Sequence, residues 1–245
     1  MSTDQPGPRA LARARTIADI KRIGREHLAT HGAAALSLRA VARDLGMVSS
    51  AVYRYVSSRD ELLTLLVVDG YNALGDAVDA ALADAPDDPA TRFRVTARTV
   101  REWALAEPAW YGLLFGTPVP GYAAPADDTE APGVRVIATL LGIIDSAFRR
   151  GQLTSGQDLA MSPKTSADFA TIREQFGLAA PDPVIAAALT AWTTLFGAVN
   201  FDVFDMYGRD TFADRAEIFD LNIDQLLRLL GFVVPCPQGV DRSVR

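Results

Sequence analysis

Ser49, Ser50, Ala51, Tyr53, Arg54 and Tyr55 fall in one short stretch, with Ser37 and Arg39 before it and Arg59 after it. Their side chains suit recognition through hydrogen bonds and charge. Arg39 can take a guanine edge by two hydrogen bonds or pair with a phosphate, while Arg54 and Arg59 suit backbone phosphate. Tyr53 and Tyr55 each offer a hydroxyl and an apolar ring for thymine methyls or sugar. The small Ser49, Ser50 and Ala51 let a helix N-terminus, whose N–H groups favour phosphate, come close to its target. Together they make a candidate reader of double-stranded DNA.

Other reactive side chains point nowhere so definite. His27 and His31 have the spacing of a helical metal pair, but no cysteine or third histidine accompanies them, so exposed helix-end histidines are expected. Asp127-Asp128-Thr129-Glu130 lies in a Pro- and Ala-rich stretch and reads as solvated charge rather than a magnesium site. There is no phosphate-binding loop, dinucleotide fingerprint or nucleophile elbow. No enzyme activity, metal or cofactor is expected. Cys236, the single cysteine, sits between two prolines, precludes an internal disulfide framework and fits a reducing cytoplasm.

The candidate reader needs two short helices to hold it. Ser37 is placed to cap the first, with Leu36 and Val41 stapled across the cap. Leu38, Val41, Ala42 and Leu45 share its inner face, and Gly46 suits a left-handed C-cap. Met47 and Val48 are expected to cross the turn facing inward. Ser49 is placed to cap the second helix, where Val52 and Val56 share a face. Ser58 and Glu61 have capping-box spacing, so a third helix starts there. This is the layout of a helix-turn-helix.

Charge separates the ends of the chain. Residues 1–60 hold ten Arg or Lys against five Asp or Glu, whereas the whole chain carries a net −6. A basic head on an acidic body concentrates phosphate affinity at one end. Arg9, Arg13 and Arg15 form a basic N-terminal arm, either disordered or adding phosphate contacts. At 245 residues and 49% hydrophobic the chain has ample core for one large or two smaller domains. No apolar run reaches membrane-spanning length and the N-terminus is polar, so no membrane partner and a cytoplasmic location are expected.

Beyond residue 58 helical periodicity dominates, which gives an all-α fold. A helix of about 25 residues runs from Ser58 to the acidic turn at Asp84, Asp87 and Asp88. Asp88-Pro89 and Glu107-Pro108 start two more, residues 116–133 read as a long loop, and Ser166 caps a short helix ending near Gly177. Ile185, Leu189, Trp192, Phe196, Val199, Val203 and Met206 alternate spacings of four and three, as do Phe212, Ala216, Phe219, Ile223, Leu226 and Leu230. Such stripes suit a left-handed bundle, and Ile185, Leu189, Val199, Phe219, Ile223, Leu226 and Leu230 are the candidate dimer interface. Apolar residues off the stripe, among them Leu195, Phe201, Phe204, Ile218, Leu221 and Leu229, give both helices a second face. Trp103, Tyr111, Phe115, Tyr122, Phe148, Trp192 and Phe196, with Asn200 as an orienting polar group, are the candidate contacts of a small hydrophobic or aromatic effector. Pro118, Pro120 and Gly121 either stiffen a flap over that pocket or merely shape a loop. The expected divisions are a flexible basic arm (1–14), a helix-turn-helix DNA-binding domain (15–60), a helical regulatory and dimerisation domain (61–234) and a tail (235–245).

Residues 36–63, with the preceding Ala29-Thr30-His31-Gly32, resemble the DNA-binding domain of the TetR (tetracycline-repressor) family. The matching features are a glycine after the first helix, Leu36-Ser37-Leu38-Arg39, Leu45-Gly46, Tyr53-Arg54-Tyr55-Val56 and Ser58-Arg59-Asp60-Glu61-Leu62-Leu63. Further along, Leu114-Phe115-Gly116-Thr117-Pro118-Val119-Pro120-Gly121-Tyr122 resembles a segment of one subgroup's regulatory domain. The resemblance implies an all-helical homodimer, a palindromic operator, repression, and release of DNA by a small-molecule effector. The competing readings are a helical small-molecule-binding protein or an enzyme, neither with a DNA-binding role. Salt-sensitive, sequence-dependent DNA affinity separates them.

Overall fold

A computed structural model describes residues 7–153 and 160–232. Among the described residues the regular structure is helical, apart from an isolated bridge between Leu153 and Phe232. The chain divides into two compact units, Met1–Ala77 with Glu102–Arg135, and Val78–Arg101 with Val136–Arg245. The expected break at residue 60 is therefore not where the units part. The expected tail, Cys236 included, lies outside the described residues.

The first unit begins with α1 (Pro8–His31), followed by α2 (Leu38–Asp44), α3 (Ser49–Val52) and the start of α4 (Arg59–Ala83). Ile20, Ile23, Leu36, Leu38, Val41, Ala42, Val52, Val56, Leu62, Leu63 and Leu66 close on one another as its core. Each large aliphatic side chain in such a cluster contributes about 1.5–3 kcal/mol. At the end of α2, Gly46 takes φ 68°, its N–H bonds Arg43 O, and Met47 N–H bonds Ala42 O. That paired closure demands a left-handed residue, which glycine adopts without a side-chain clash.

Several expected caps are corrected. Ser37 occupies the N-cap position of α2, but its side chain makes no capping bond. Ser49 lies inside α3, whose N-cap is Val48. Ser58 does accept from Glu61 N–H at 3.0 Å, yet the Glu61 carboxylate turns back to Ser57, taking both its N–H and its hydroxyl at 2.6 Å. Those two bonds hold the Glu61 carboxyl below its ordinary range. The basic arm is corrected too: from Pro8 onward it is helix, because proline at N1 fixes a helical φ and Ala10, Leu11, Ala12 and Ala14 favour the state.

The same unit holds the end of α5 (Pro89–Ala106), α6 (Pro108–Phe115) and α7 (Ala126–Gly133). The expected loop at 116–133 thus contains a helix. Asp127 and Asp128 in its first turn complement the positive helix end, and only Val134 separates it from α8 (Arg135–Arg149).

In the second unit, α8, α9 (Pro163–Phe176), α10 (Asp182–Val203) and α11 (Arg215–Leu229) join the remainders of α4 and α5. Ser162, not Ser166, caps α9 by accepting from Thr165 N–H, and Gly177 at φ 65° ends it. Asp214 caps α11 through Ala216 and Glu217, so Phe212 precedes the helix, and Met206 lies beyond the end of α10. Arg101 reaches the buried Asp202 at 2.5 Å, and Arg94 reaches Asp224 at 2.9 Å. Asp145, also buried, accepts from Ala179 and Ala180 N–H. Two helical stretches, Ala126–Arg149 and Asp182–Val203, are long and apolar enough to span a bilayer, contrary to expectation. In α10 the charges sit near the ends, and Ile185, Ala188, Ala191, Leu195 and Val199 turn into the unit's core. A core helix has no need of a membrane to explain that composition.

Candidate nucleic-acid interface

Helix α3 buries Val52 and turns its other residues away from the core. Val48 is 72% exposed and Tyr53 45%, with Ser49, Ser50 and Arg54 also exposed. Val48 is the residue that sequence reasoning misplaced. Met47 packs on the head core, and its neighbour in the turn cannot follow it inward. An exposed branched apolar side chain at the start of the reader suits a thymine methyl. Tyr55 moves the other way: it is half-buried against the head core, with the Arg13 guanidinium 5.4 Å from its ring centroid. Ser37 and Ala51 are half-buried.

The head's cations separate into committed and available ones. Arg13 donates to Arg54 O at 2.8 Å, tying the first turns of α1 to the end of α3. Arg59 donates to the carbonyls of Leu36, Ala33 and Ala34, so its guanidinium braces the α1–α2 connection rather than standing free for phosphate. Lys21 pairs with Asp69 and Arg25 with Glu107. His27 is not a solvated histidine: its Nε2 lies 2.7 Å from Asp44 Oδ2, joining α1 to α2 and holding the Asp44 carboxyl below its ordinary value. His31 stacks edge-on against it, and no cluster of metal-binding side chains occurs among the described residues. Arg39 and Arg54 are exposed and have no ionic partner among the described residues, which leaves both guanidinium groups for an outside anion.

A tetR-family bacterial regulatory protein domain matches residues 23–66, covering this reader, and a tetracyclin repressor-like C-terminal domain matches residues 93–226. The HTH-type transcriptional regulator Rv1816 of Mycobacterium tuberculosis is 44% identical over 230 residues, 94% of this chain and 98% of its own. The chain belongs to the TetR family of transcriptional regulators. The crystal structure of regulatory protein SCO4313 superposes with a TM-score of 0.73 at 34% identity, covering 91% of this chain and 100% of that one. AibR in complex with isovaleryl coenzyme A and operator DNA shares the fold alone, at TM-score 0.53 and 14% identity over 90% of this chain and 99% of its own. Rv1816 is a transcriptional regulator, and the chain is a regulator rather than an enzyme.

The regulatory aromatics of this TetR-family chain fall in both units. In the first unit Tyr111 is buried beside Phe115, ring centroids 5.1 Å apart, and Phe115 meets Tyr71 edge-on at 5.8 Å. Burial raises the pKa of both tyrosines, so each keeps its proton. Trp103 lies 6.1 Å from Trp110, whose indole stacks against the Arg25 guanidinium. Tyr122 is turned elsewhere, its hydroxyl 3.1 Å from that of Thr64. In the second unit Trp192 and Phe196 adjoin, Asn200 lies one turn on with its buried Oδ1 accepting no hydrogen bond among the described residues, and Phe148 is at the surface, 36% exposed.

The expected dimer residues are also reassigned. Ile185, Val199, Phe219, Ile223, Leu226 and Leu230 are buried within the single chain and Leu189 is half-buried. The middle of each stripe packs inward, while Met206 and Ala216 at its ends are exposed. Of the expected second face, Leu195 is buried too and Ile218 half-buried; what α10 and α11 leave outside is Thr190, Thr194, Phe201 and Phe204 on one, Leu221 and Leu229 on the other.

Proposed function

We propose that the chain is a cytoplasmic, ligand-responsive repressor that binds a palindromic operator as a homodimer and is released by a small hydrophobic or aromatic effector. The observation that carries the DNA reading is the exposed face of Val48, Ser49, Ser50 and Tyr53 flanked by the guanidinium groups of Arg39 and Arg54, which have no ionic partner among the described residues. These six residues contact the operator, whereas Arg13 and Arg59 hold the head that presents them. One short helix reads few base pairs, so two heads entering successive major grooves, roughly 34 Å apart, are needed for useful affinity.

Exposed Leu221 at 49% and Leu229 at 46%, with Phe201 at 40%, support a two-fold interface on the outer face of α10 and α11. For the effector there are two candidate sites, each within one unit: Trp103, Tyr111 and Phe115 in the first, and Trp192, Phe196 and Asn200 in the second, where Asn200 Oδ1 is the natural partner for a donor. An effector need only bind more tightly to one head separation than to another, and tilting α4 supplies that difference. We further assign residues 114–122 to the regulatory-domain subgroup they resemble. Selecting bound fragments from random DNA, then repeating the binding across a salt series, tests the reading. An inverted repeat with a steep salt dependence is expected, and no preference over competitor DNA at modest ionic strength refutes it.

A further inference from the structure

Residues 107–122 lie along α4 within one compact unit and meet it repeatedly. Near the start, the Trp110 indole donates to Leu66 O at 2.8 Å. Midway, Phe115 stands edge-on to Tyr71. At the end the chain doubles back through Gly121, at φ 77°, and Tyr122 returns to Thr64. Thr64 is buried, and its hydroxyl also lies 3.0 Å from Asp60 O. A threonine hydroxyl has one proton; with that proton on the Asp60 carbonyl, the Tyr122 phenol is the donor to Thr64. Leu113, Val119 and Tyr122 pack against the apolar cluster that supports α2 and α3. The segment that the sequence offers as a flap over an effector is thus seated on the DNA-reading head.

We infer that residues 116–122 are a strap that fixes the bearing of the reading helices on α4, with Tyr122 as a positioning residue. The inference rests on the chain being a dimeric operator binder. The strap works through geometry. By narrowing the bearings open to each head it favours one separation of half-sites and penalises the others, because a head held in place loses less freedom on binding. Without it the heads reach more separations, each less well.

The test uses duplexes carrying two copies of the selected half-site at graded separations. Wild type, Tyr122→Phe, Thr64→Val and the double variant are titrated on each, with thermal melts alongside. Wild type should prefer one separation. Either single variant should shrink the affinity ratio between the best and next-best separation by about five-fold, the size of one net hydrogen bond. The double variant should shrink it no further. Should Tyr122→Phe lose its melting transition, Thr64→Val reads the same bond. Variants that keep the wild-type ratio, or that weaken every separation equally, overturn the strap. A wild type indifferent to all duplexes overturns the operator reading and the strap with it, a different result from a wild type that discriminates beside variants that discriminate as well.

Discussion

Replacing Gly70 by alanine sets a helix-propensity gain against a steric loss, and the structure says which wins. Gly70 is buried in the middle of α4, where alanine is favoured over glycine by about 1 kcal/mol. A Cβ there falls 2.8 Å from Trp110 Nε1 and 3.0 Å from its Cδ1. Carbon atoms rest comfortably at about 3.5 Å or more, so the indole must retreat by about 0.7 Å. That retreat stretches the buried Trp110 bond to Leu66 O, whose loss costs about 1–3 kcal/mol, and disturbs the Arg25 stack, worth about 0.5–1 kcal/mol. The net expectation is destabilisation by about 1–3 kcal/mol. Gly142, exposed in α8 with nothing within 4 Å of its Cβ, is the control: Gly142→Ala keeps only the propensity gain and stabilises by about 0.5–1 kcal/mol. Urea unfolding followed by tryptophan fluorescence measures both, since Trp103 and Trp110 report the first unit, which holds Gly70, and Trp192 reports the second, which holds Gly142. If Gly70→Ala raises the midpoint as Gly142→Ala does, the account of the Trp110 seat is wrong.

Arg39→Ala and Arg54→Ala should each weaken operator binding at moderate salt and, where the contact is a phosphate, flatten the salt slope by about one per half-site. Arg59→Ala should instead lower the melting temperature with little change in slope, because its guanidinium serves three carbonyls of its own chain; equal slope changes for all three would remove the distinction. Leu221→Glu and Leu229→Glu should yield folded monomers in sedimentation, whereas Phe219→Glu and Leu226→Glu should unfold the protomer. A folded dimer from Leu221→Glu and Leu229→Glu together would place the interface elsewhere. Glu61 is held below its ordinary value of 4.5, first by the Ser57 hydroxyl and then by the Ser57 N–H. A carboxyl depressed in the native state stabilises fully above its unfolded value, and that contribution is lost as the pH falls through the native value. Glu61→Gln should accordingly melt lower than wild type at pH 7 and converge on it in acid, and a constant gap across pH would show that the charge is immaterial.

The fold was largely legible because its signals are local. Gly46, the 25-residue helix α4, the Asp88 cap and the Gly177 stop each follow from a few neighbouring residues. The reader's location was legible for the same reason. Which residues in it are available was not, since that depends on partners far away in sequence. Arg59 and Arg39 are the same residue type on adjoining helices, and only the carbonyls of Leu36, Ala33 and Ala34 make one structural. The dimer face failed in a similar way. Periodicity showed that α10 and α11 have two apolar faces, but assigning the inner one required knowing that Ile185, Val199 and Ile223 are covered by their own chain. Tyr122 looked like pocket lining because an aromatic beside Pro and Gly carries no sign of the Thr64 hydroxyl it meets.

Helix α3 is four residues long, about 6 Å of axis at 1.5 Å per residue, and Val48 and Tyr53 extend its reach only slightly. At 3.4 Å per step such an element addresses about three or four base pairs, which random sequence supplies about once in 250 positions at best. A chromosome offers on the order of a million or more competitors, so one head alone would stall at thousands of places. Doubling the head brings the odds only to about one in sixty thousand. The rest of the discrimination has to come from how readily the intervening duplex bends and twists, and base changes at positions that no side chain touches should therefore matter to this protein.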